Sequence, residues 1–158
     1  PPVRFTTDVP ITTAQDMYDA VTSRFEEMDV LVMAAAVADY RPVTVASDKI
    51  KKKDGDLSIP VERTADILGT IGPKKTRQFL CGFSMETRDM VENSTAKLTR
   101  KNLDMVVANN LKVAGAGFGV DTNVVTFITP DGTRELPLMS KADVADAILD
   151  EILKRRGL

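Results

Sequence analysis

The chain has 158 residues, 43% of them apolar and 28% charged, which is enough for one domain with a hydrophobic core. Its net charge of −2 argues against a broad nucleic-acid surface, while the lack of a membrane-spanning apolar run and of a signal peptide predicts a cytoplasmic protein. Because histidine is absent, Ser-His-Asp and Cys-His triads are excluded, and catalysis would need lysine, carboxylates, backbone amides or a metal.

The first segment predicts a strand followed by a helix. Residues 3–7, "VRFTT", have the composition of a short strand. Thr12 or Thr13 can cap the helix, whose apolar positions recur every four residues at Met17, Val21 and Phe25.

Three continuously apolar runs follow, as expected for strands that are covered on both faces of a parallel sheet. They span residues 29–37, 78–84 and 104–110, and a helix is predicted from about 88 to 101. Cys81, the only cysteine, lies in the second run, so disulfides and cysteine-rich zinc sites are excluded and a buried, inert thiol is expected.

The last third of the chain predicts a hairpin and a helix. Residues 123–138 form two short runs around Asp131-Gly132, and Ser140 with Asp143 starts a helix with one broad apolar face. Together these elements predict a single domain of the α/β class: a Rossmann-like, mostly parallel, three-layer sheet with a C-terminal hairpin and helix. The first βαβ unit is not found, and "GAGFG" at 115–119 lacks the spacing of a dinucleotide fingerprint.

Small residues and one carboxylate follow the first apolar run. Ligands of such sheets bind at the carboxyl ends of the strands, and residues 35–39 lie at such an end, where small side chains would let a flat ligand approach the backbone, with Asp39 at the rim. The alternative is that the alanines pack under a helix and that Asp39 caps a turn.

A lysine cluster comes next. "DKIKKKDGD" (48–56) could neutralise a triphosphate or could form a solvated loop before a turn; its cations are Lys49, Lys51, Lys52 and Lys53. "TADIL" (64–68) could begin a short helix with Thr64 as its cap.

The remaining polar positions also have two interpretations. Phe83 could stack on a base or belong to the core, and Glu86 could hold a metal or cap a helix. Lys97 and Lys101 share one helical face, either for an anion or for solubility, and the asparagines in "ANN" (108–110) suit a turn or a binding site. The combination favours a nucleotide or another phosphorylated ligand.

The ordered set "AAAVADYRP", "KIKKK", "TADIL", "GFSMET", "KLTRKN", "VVANN" and "GFGVDTN" resembles the phosphopantothenoylcysteine synthetases, also called phosphopantothenate cysteine ligases, over nearly the whole chain. The resemblance implies a synthetase domain that lacks its N-terminal segment. It implies a CTP-dependent ligase of coenzyme A biosynthesis that forms an acyl-cytidylate from 4'-phosphopantothenate and then transfers the acyl group to cysteine, with Mg²⁺ present.

The resemblance also implies which residues bind CTP. Ala34 and Ala35 would pass against the cytidine, Asp39 would be the nucleotide-binding aspartate, and Lys49 would be the catalytic lysine. The further implied contacts are Ala65, Asp66, Ile67, Leu68, Phe83, Lys97 and Lys101. Metal ligands stay unassigned.

Two departures from the family pattern are visible. Thr64-Ala65 stands where many members have Asn-Pro, so the loop is expected to be less rigid. The upstream glycine-rich turn, and an asparagine that holds the acyl-cytidylate, are not among these residues. Family members are homodimers and are often fused behind a flavin-dependent decarboxylase, so FMN is expected only with such a domain.

Two other functions compete with a ligase. One is a nicotinamide-dependent oxidoreductase, which the missing fingerprint disfavours. The other is a non-catalytic nucleotide-binding or assembly domain of the same fold. The residues alone do not decide CTP against ATP, because one or two backbone hydrogen bonds select the base.

Overall fold

The computed structural model describes residues 4–51, 56–86, 89–110 and 119–158. Its helices and strands are α1 (Ala14–Thr22), β1 (Val30–Met33), β2 (Tyr40–Pro42), β3 (Val61–Arg63), α2 (Ile67–Ile71), β4 (Phe79–Glu86), α3 (Met90–Arg100), β5 (Met105–Asn110), β6 (Thr122–Asn123), β7 (Val125–Thr129), β8 (Gly132–Glu135), β9 (Met139–Ser140) and α4 (Lys141–Arg156). The chain forms two compact units. The first comprises Pro1–Phe25 with Ala36–Ile67, and the second comprises Glu26–Ala35 with Leu68–Leu158.

A five-stranded sheet in the order β1-β4-β5-β7-β8 organises the second unit. Strands β1, β4 and β5 are parallel, and β7 and β8 add an antiparallel hairpin at one edge. Gly132 begins β8 with φ 134°, a backbone conformation that favours glycine. The predicted α/β fold, with a parallel centre and a C-terminal hairpin and helix, is confirmed.

Helices cover both faces of this sheet. On one face, Cys81, Val107 and Phe127 pack with α4 in a buried cluster. On the other face, the hydroxyls of Ser84 in β4 and Ser94 in α3 lie 2.6 Å apart and are buried. Because alternate residues of a strand point to opposite faces, the apolar runs of β4 and β5 predicted such burial on both sides, whereas the same prediction is wrong for β1, where Val32 is exposed.

The last helix begins where its capping residues predicted. The Ser140 hydroxyl accepts from the Asp143 amide at 3.1 Å and lies 2.6 Å from an Asp143 carboxylate oxygen. Gly157 ends the helix in the left-handed conformation that glycine adopts without strain.

Cys81 is fully buried in β4, and burial, followed by the nearby Asp104 charge, raises the pKa of its thiol to about 12. We expect iodoacetamide at mildly alkaline pH to leave Cys81 unmodified in the folded protein, because the reactive thiolate is scarce and shielded. Mass spectrometry checks this, and complete labelling in denaturant is the control. Rapid labelling of the folded protein would contradict it.

The first unit contains α1 and a two-stranded ribbon. Thr13, one of the two predicted caps, caps α1, and it also forms a capping box with Asp16 that the sequence analysis did not predict. Strands β2 and β3 pair in antiparallel register, with Tyr40 opposite Arg63.

Four predicted local structures differ from the structure. Arg4 and Phe5 lie in a turn, and residues 6–7 form no strand, because among the described residues no strand pairs with them. Strand β1 ends at Met33 and not at Val37, since its pairing with β4 stops there and alanine has a low strand propensity. Phe25 lies in a 3-10 turn after α1.

The fourth difference concerns Thr64. Helix α2 begins only at Ile67, so Thr64 is not its cap. Its hydroxyl instead donates a hydrogen bond to the Ala38 carbonyl oxygen. Lys52, Lys53 and residues 111–118, which include most of "GAGFG", lie outside the described residues.

Candidate functional site

In the first unit, two of the predicted ligand segments meet where the β2–β3 ribbon opens. The Thr64 amide donates to the Asp39 carbonyl oxygen at 3.0 Å, which extends the ladder beyond the Tyr40–Arg63 pair. The Thr64 hydroxyl donates to the Ala38 carbonyl oxygen at 2.5 Å. These two hydrogen bonds, here called the Thr64 bridge, hold Asp39 beside the start of the 65–67 loop.

The charged side chains predicted to bind a nucleotide in this unit are exposed. Within residues 4–51, 56–86, 89–110 and 119–158, the Asp39 carboxylate and the Lys49 ammonium make no hydrogen bond or ion pair. Lys51 is exposed as well. An exposed ammonium with no protein partner can meet a phosphate oxygen without first breaking a salt bridge.

In the second unit, Ala34 and Ala35 follow β1 directly and are exposed in irregular backbone. They therefore do not pack under a helix, which was the alternative interpretation of this segment. Methyl side chains at the end of a strand leave the backbone open to a flat ligand.

The centre of β4 brings three further predicted residues together. Leu68 packs over Gly82, where an added Cβ would lie 3.2 Å from the Leu68 Cδ1 atom. The Lys97 ammonium donates to the Phe83 carbonyl oxygen. Leu68 and Lys97 thus contact adjacent residues of β4, Leu68 at Gly82 and Lys97 at the backbone of Phe83.

The ring of Phe83 points away from Lys97. It packs against the hydrophobic core under α4, on the opposite face of the sheet from Ser84 and α3. The aromatic side chain therefore belongs to the core, as one of its two interpretations held, and the part of Phe83 that meets Lys97 is its carbonyl group.

Lys97 and Lys101 have different surroundings although they are four residues apart. Lys101 is the C-terminal cap of α3, where its amide donates to the Lys97 carbonyl oxygen at 3.1 Å. Its own carbonyl group lies against Gly72. The lysine spacing predicted the shared helix but not this difference.

Asn109, at the end of β5, is used within the protein. Its side-chain oxygen accepts from the Asn123 amide nitrogen at 2.9 Å, and the Asn123 oxygen accepts from the Val124 amide. The structural interpretation of "ANN" therefore holds for this side chain.

A cavity of about 210 Å³ lies between the hairpin and α4. The Arg155 guanidinium donates hydrogen bonds there to Glu151, Asp131 and Thr129. Arg134 forms an ion pair with Glu151 at 2.9 Å. None of the sequence-predicted ligand residues lines it. We interpret this network as the contact that fixes the hairpin to α4.

Two hydrogen-bonded pairs were missed by the sequence reasoning: Thr64 with Ala38, and Ser84 with Ser94. No spacing rule connects residues so far apart, so a strand-end threonine was the only available signal. Among the described residues, no group of three or more Asp, Glu or Cys side chains could hold a metal ion. The helices of that part of the chain include none that is long and apolar enough to cross a membrane.

Comparison with known proteins gives consistent results. Residues 1–155 match the DNA/pantothenate metabolism flavoprotein C-terminal domain family. The chain is 49% identical over 145 residues to the coenzyme A biosynthesis bifunctional protein CoaBC of Bacillus subtilis (strain 168), covering 91% of this chain and 36% of that protein. It is 42% identical over 147 residues to a cysteine/cysteine sulfinic acid decarboxylase of an unknown prokaryotic organism, covering 92% and 41%.

Among solved structures, the crystal structure of the C-terminal domain of CoaBC matches with a TM-score of 0.74 and 43% identity, over 93% of this chain and 66% of that one. The chain spans 36% and 41% of the lengths of the two curated relatives named above, which is less than half of each.

Proposed function

The chain belongs to the DNA/pantothenate metabolism flavoprotein C-terminal domain family, and from this membership we propose that it is the synthetase part of a coenzyme A biosynthesis protein. Its reaction joins 4'-phosphopantothenate to cysteine at the expense of CTP, which makes it a phosphopantothenate cysteine ligase. The observation that carries the proposal is the 43% identity to the C-terminal domain of CoaBC over 93% of the chain.

The proposed reaction has two steps. A carboxylate oxygen of 4'-phosphopantothenate attacks the α-phosphorus of CTP, and the bond to the β-phosphate breaks to release pyrophosphate. The cysteine amine then attacks the acyl carbon, CMP leaves, and the nitrogen loses a proton to give 4'-phosphopantothenoylcysteine.

Lysines of this chain would support the first step. Negative charge builds on the phosphate oxygens as the α-phosphorus is attacked, and a cation held there lowers the barrier. Lys49 is proposed for this role because it is exposed and has no ion-pair partner among the described residues. Lys97 and Lys101 are proposed to contact CTP, which would require the Lys97 ammonium to leave or share the Phe83 carbonyl oxygen.

The other proposed contacts recognise the nucleoside. Ala34 and Ala35 leave room for it, Asp39 offers a carboxylate, and Phe83 contributes through its backbone. The base loop comprises Ala65, Asp66, Ile67 and Leu68. Backbone groups suit base selection because their donors and acceptors are fixed by the fold.

Mg²⁺ is proposed to enter as the counter-ion of the CTP phosphates. Ions of this kind are commonly held by substrate phosphates and one or two carboxylates. The described residues provide no cluster of metal ligands, so no resident metal site is assigned to them. Homodimerisation and a cytoplasmic location are also proposed. A fused decarboxylase, with FMN belonging to that part, is supported by the bifunctional relatives.

The test uses the full-length protein that carries this chain. Pyrophosphate release is measured with Mg²⁺ and either CTP or ATP, with and without 4'-phosphopantothenate, and CMP formation is followed after cysteine is added. We expect release that requires 4'-phosphopantothenate and is faster with CTP.

Other outcomes would favour the competing functions. CTP binding by calorimetry without any pyrophosphate release would support a non-catalytic nucleotide-binding domain. Oxidation of NADH or NADPH without nucleotide cleavage would support an oxidoreductase. Release that does not require 4'-phosphopantothenate would overturn the proposed substrate.

A further inference from the structure

The Thr64 side chain connects the segment before β2 with the segment after β3. Its hydroxyl donates to the Ala38 carbonyl oxygen at 2.5 Å, across 26 residues of sequence. The backbone bond from its amide to the Asp39 carbonyl lies beside it. Each of these segments carries a proposed nucleotide contact, Asp39 on one and Ala65–Ile67 on the other.

The ribbon alone would leave this end of the two segments loosely defined. Strand β2 begins at Tyr40 and β3 ends at Arg63, so the regular ladder stops one residue short of Asp39 and of Thr64. An isolated two-stranded ribbon is marginally stable in water, and its ends fray first. The Thr64 bridge adds two hydrogen bonds at this position.

Threonine is suited to this role because its side chain is short and stiff. The β-branched side chain has few rotamers, so the hydroxyl is held over the facing carbonyl with little loss of entropy. Thr64 is half-buried, but its hydrogen bond to Ala38 lies in an exposed position, so the stiffness of the side chain, and not burial, keeps the hydroxyl over the carbonyl oxygen. The neighbouring Ala65 and Asp66 are then displayed from a fixed point of the backbone.

We propose that Thr64 is a positioning residue for the nucleotide: the Thr64 bridge fixes the separation of the Asp39 backbone and the 65–67 loop, and thereby the affinity for CTP. Thr64 acts through these neighbours and does not itself react. This inference rests on the proposed function, because it deepens the account of the same ligand contacts.

The variants separate the hydrogen bond from the shape of the side chain. Thr64→Val keeps the volume and branching but removes the donor, whereas Thr64→Ser keeps the donor. Thr22→Val is the matched control: the Thr22 hydroxyl also donates to a backbone carbonyl, that of Tyr18 at 2.7 Å, but in α1, which carries none of the proposed contacts.

Kinetics of the full-length protein provide the first measurement. We expect Thr64→Val to raise the KM for CTP about fivefold, the effect of losing one ordinary hydrogen bond, while kcat changes little. Thr64→Ser should return the KM most of the way to the wild-type value, and Thr22→Val should leave it unchanged. A fall in kcat without a change in KM, or equal effects of Thr64→Val and Thr22→Val, would overturn the proposal.

Hydrogen exchange provides a second measurement that does not depend on turnover. Thr64→Val should speed amide exchange in peptides covering 36–42 and 61–66, and Thr64→Ser should not. Unchanged exchange in both peptides would overturn the positioning role. The two failures are distinguishable. If Thr64→Val exchanges faster than wild-type protein but wild-type protein releases no pyrophosphate with CTP, the proposed function fails while the structural role of the Thr64 bridge stands.

Discussion

Lys49→Gln is expected to slow CTP-dependent pyrophosphate release by about 10²–10³-fold, the usual loss when one group that stabilises developing charge is removed. Glutamine keeps most of the side-chain length and some hydrogen-bonding capacity but lacks the positive charge. The folded structure should survive, since Lys49 is exposed and pairs with no described residue. Pyrophosphate release by the full-length protein, measured with 4'-phosphopantothenate present, checks this.

Lys51→Gln is the matched control for this prediction. Lys51 lies in the same loop, two residues away, and is also exposed. If the loop only raises the local concentration of anions, both variants should lose activity equally, and both losses should shrink as salt is added. A specific role for Lys49 predicts a much larger loss in Lys49→Gln alone, which persists in salt. Equal losses would show that the assignment of Lys49 is wrong.

Gly72→Ala is expected to destabilise the second unit by about 3 kcal/mol, at the upper end of the usual cost of overpacking. A Cβ at Gly72 would lie 2.9 Å from the Lys101 carbonyl carbon and closer still to its oxygen. Neither group can rotate away, because both belong to the backbone. The Gly72 carbonyl also accepts from the Asn102 side chain at 2.9 Å, so a shift would strain that contact as well.

Gly82→Ala is the control, because its added Cβ also meets neighbours. The atoms it would approach are the Cδ1 atoms of Leu103 at 3.0 Å and of Leu68 at 3.2 Å. These are the ends of flexible side chains, so a loss of only about 1 kcal/mol is expected. Denaturant titration followed by circular dichroism measures both variants. A Gly82→Ala loss as large as that of Gly72→Ala would contradict the backbone explanation.

The fold class followed from the sequence because strong local patterns set it. Apolar runs of strand length in β4 and β5, a glycine at the hairpin turn and an apolar helical face after Ser140 each match an element. The strand predicted at 3–7 was wrong because a local pattern is not sufficient for a strand. Its composition suits a strand, but a strand also needs a paired neighbour, and among the described residues it has none.

The candidate ligand residues were predicted from motif order, while their surroundings came from the fold. The family resemblance assigned Asp39 and the 65–67 loop to the same nucleotide, without saying which contact holds them together. That the Thr64 hydroxyl joins them could not be anticipated from a threonine that also fits a helix cap. Similarly, the side on which the Phe83 ring lies depends on the register of β4, which one residue of shift would reverse.

By itself, the sequence determined the interactions that close within three or four residues: the Thr13–Asp16 and Ser140–Asp143 caps and the spacing of Lys97 and Lys101. Only the tertiary structure decided the contacts of Thr64 with Ala38, of Lys97 with Phe83 and of Gly72 with Lys101. The physical reason is that short-range partners are fixed by helical and turn geometry. Distant partners depend on strand register and on how each helix packs against the sheet, which many weak contacts set together.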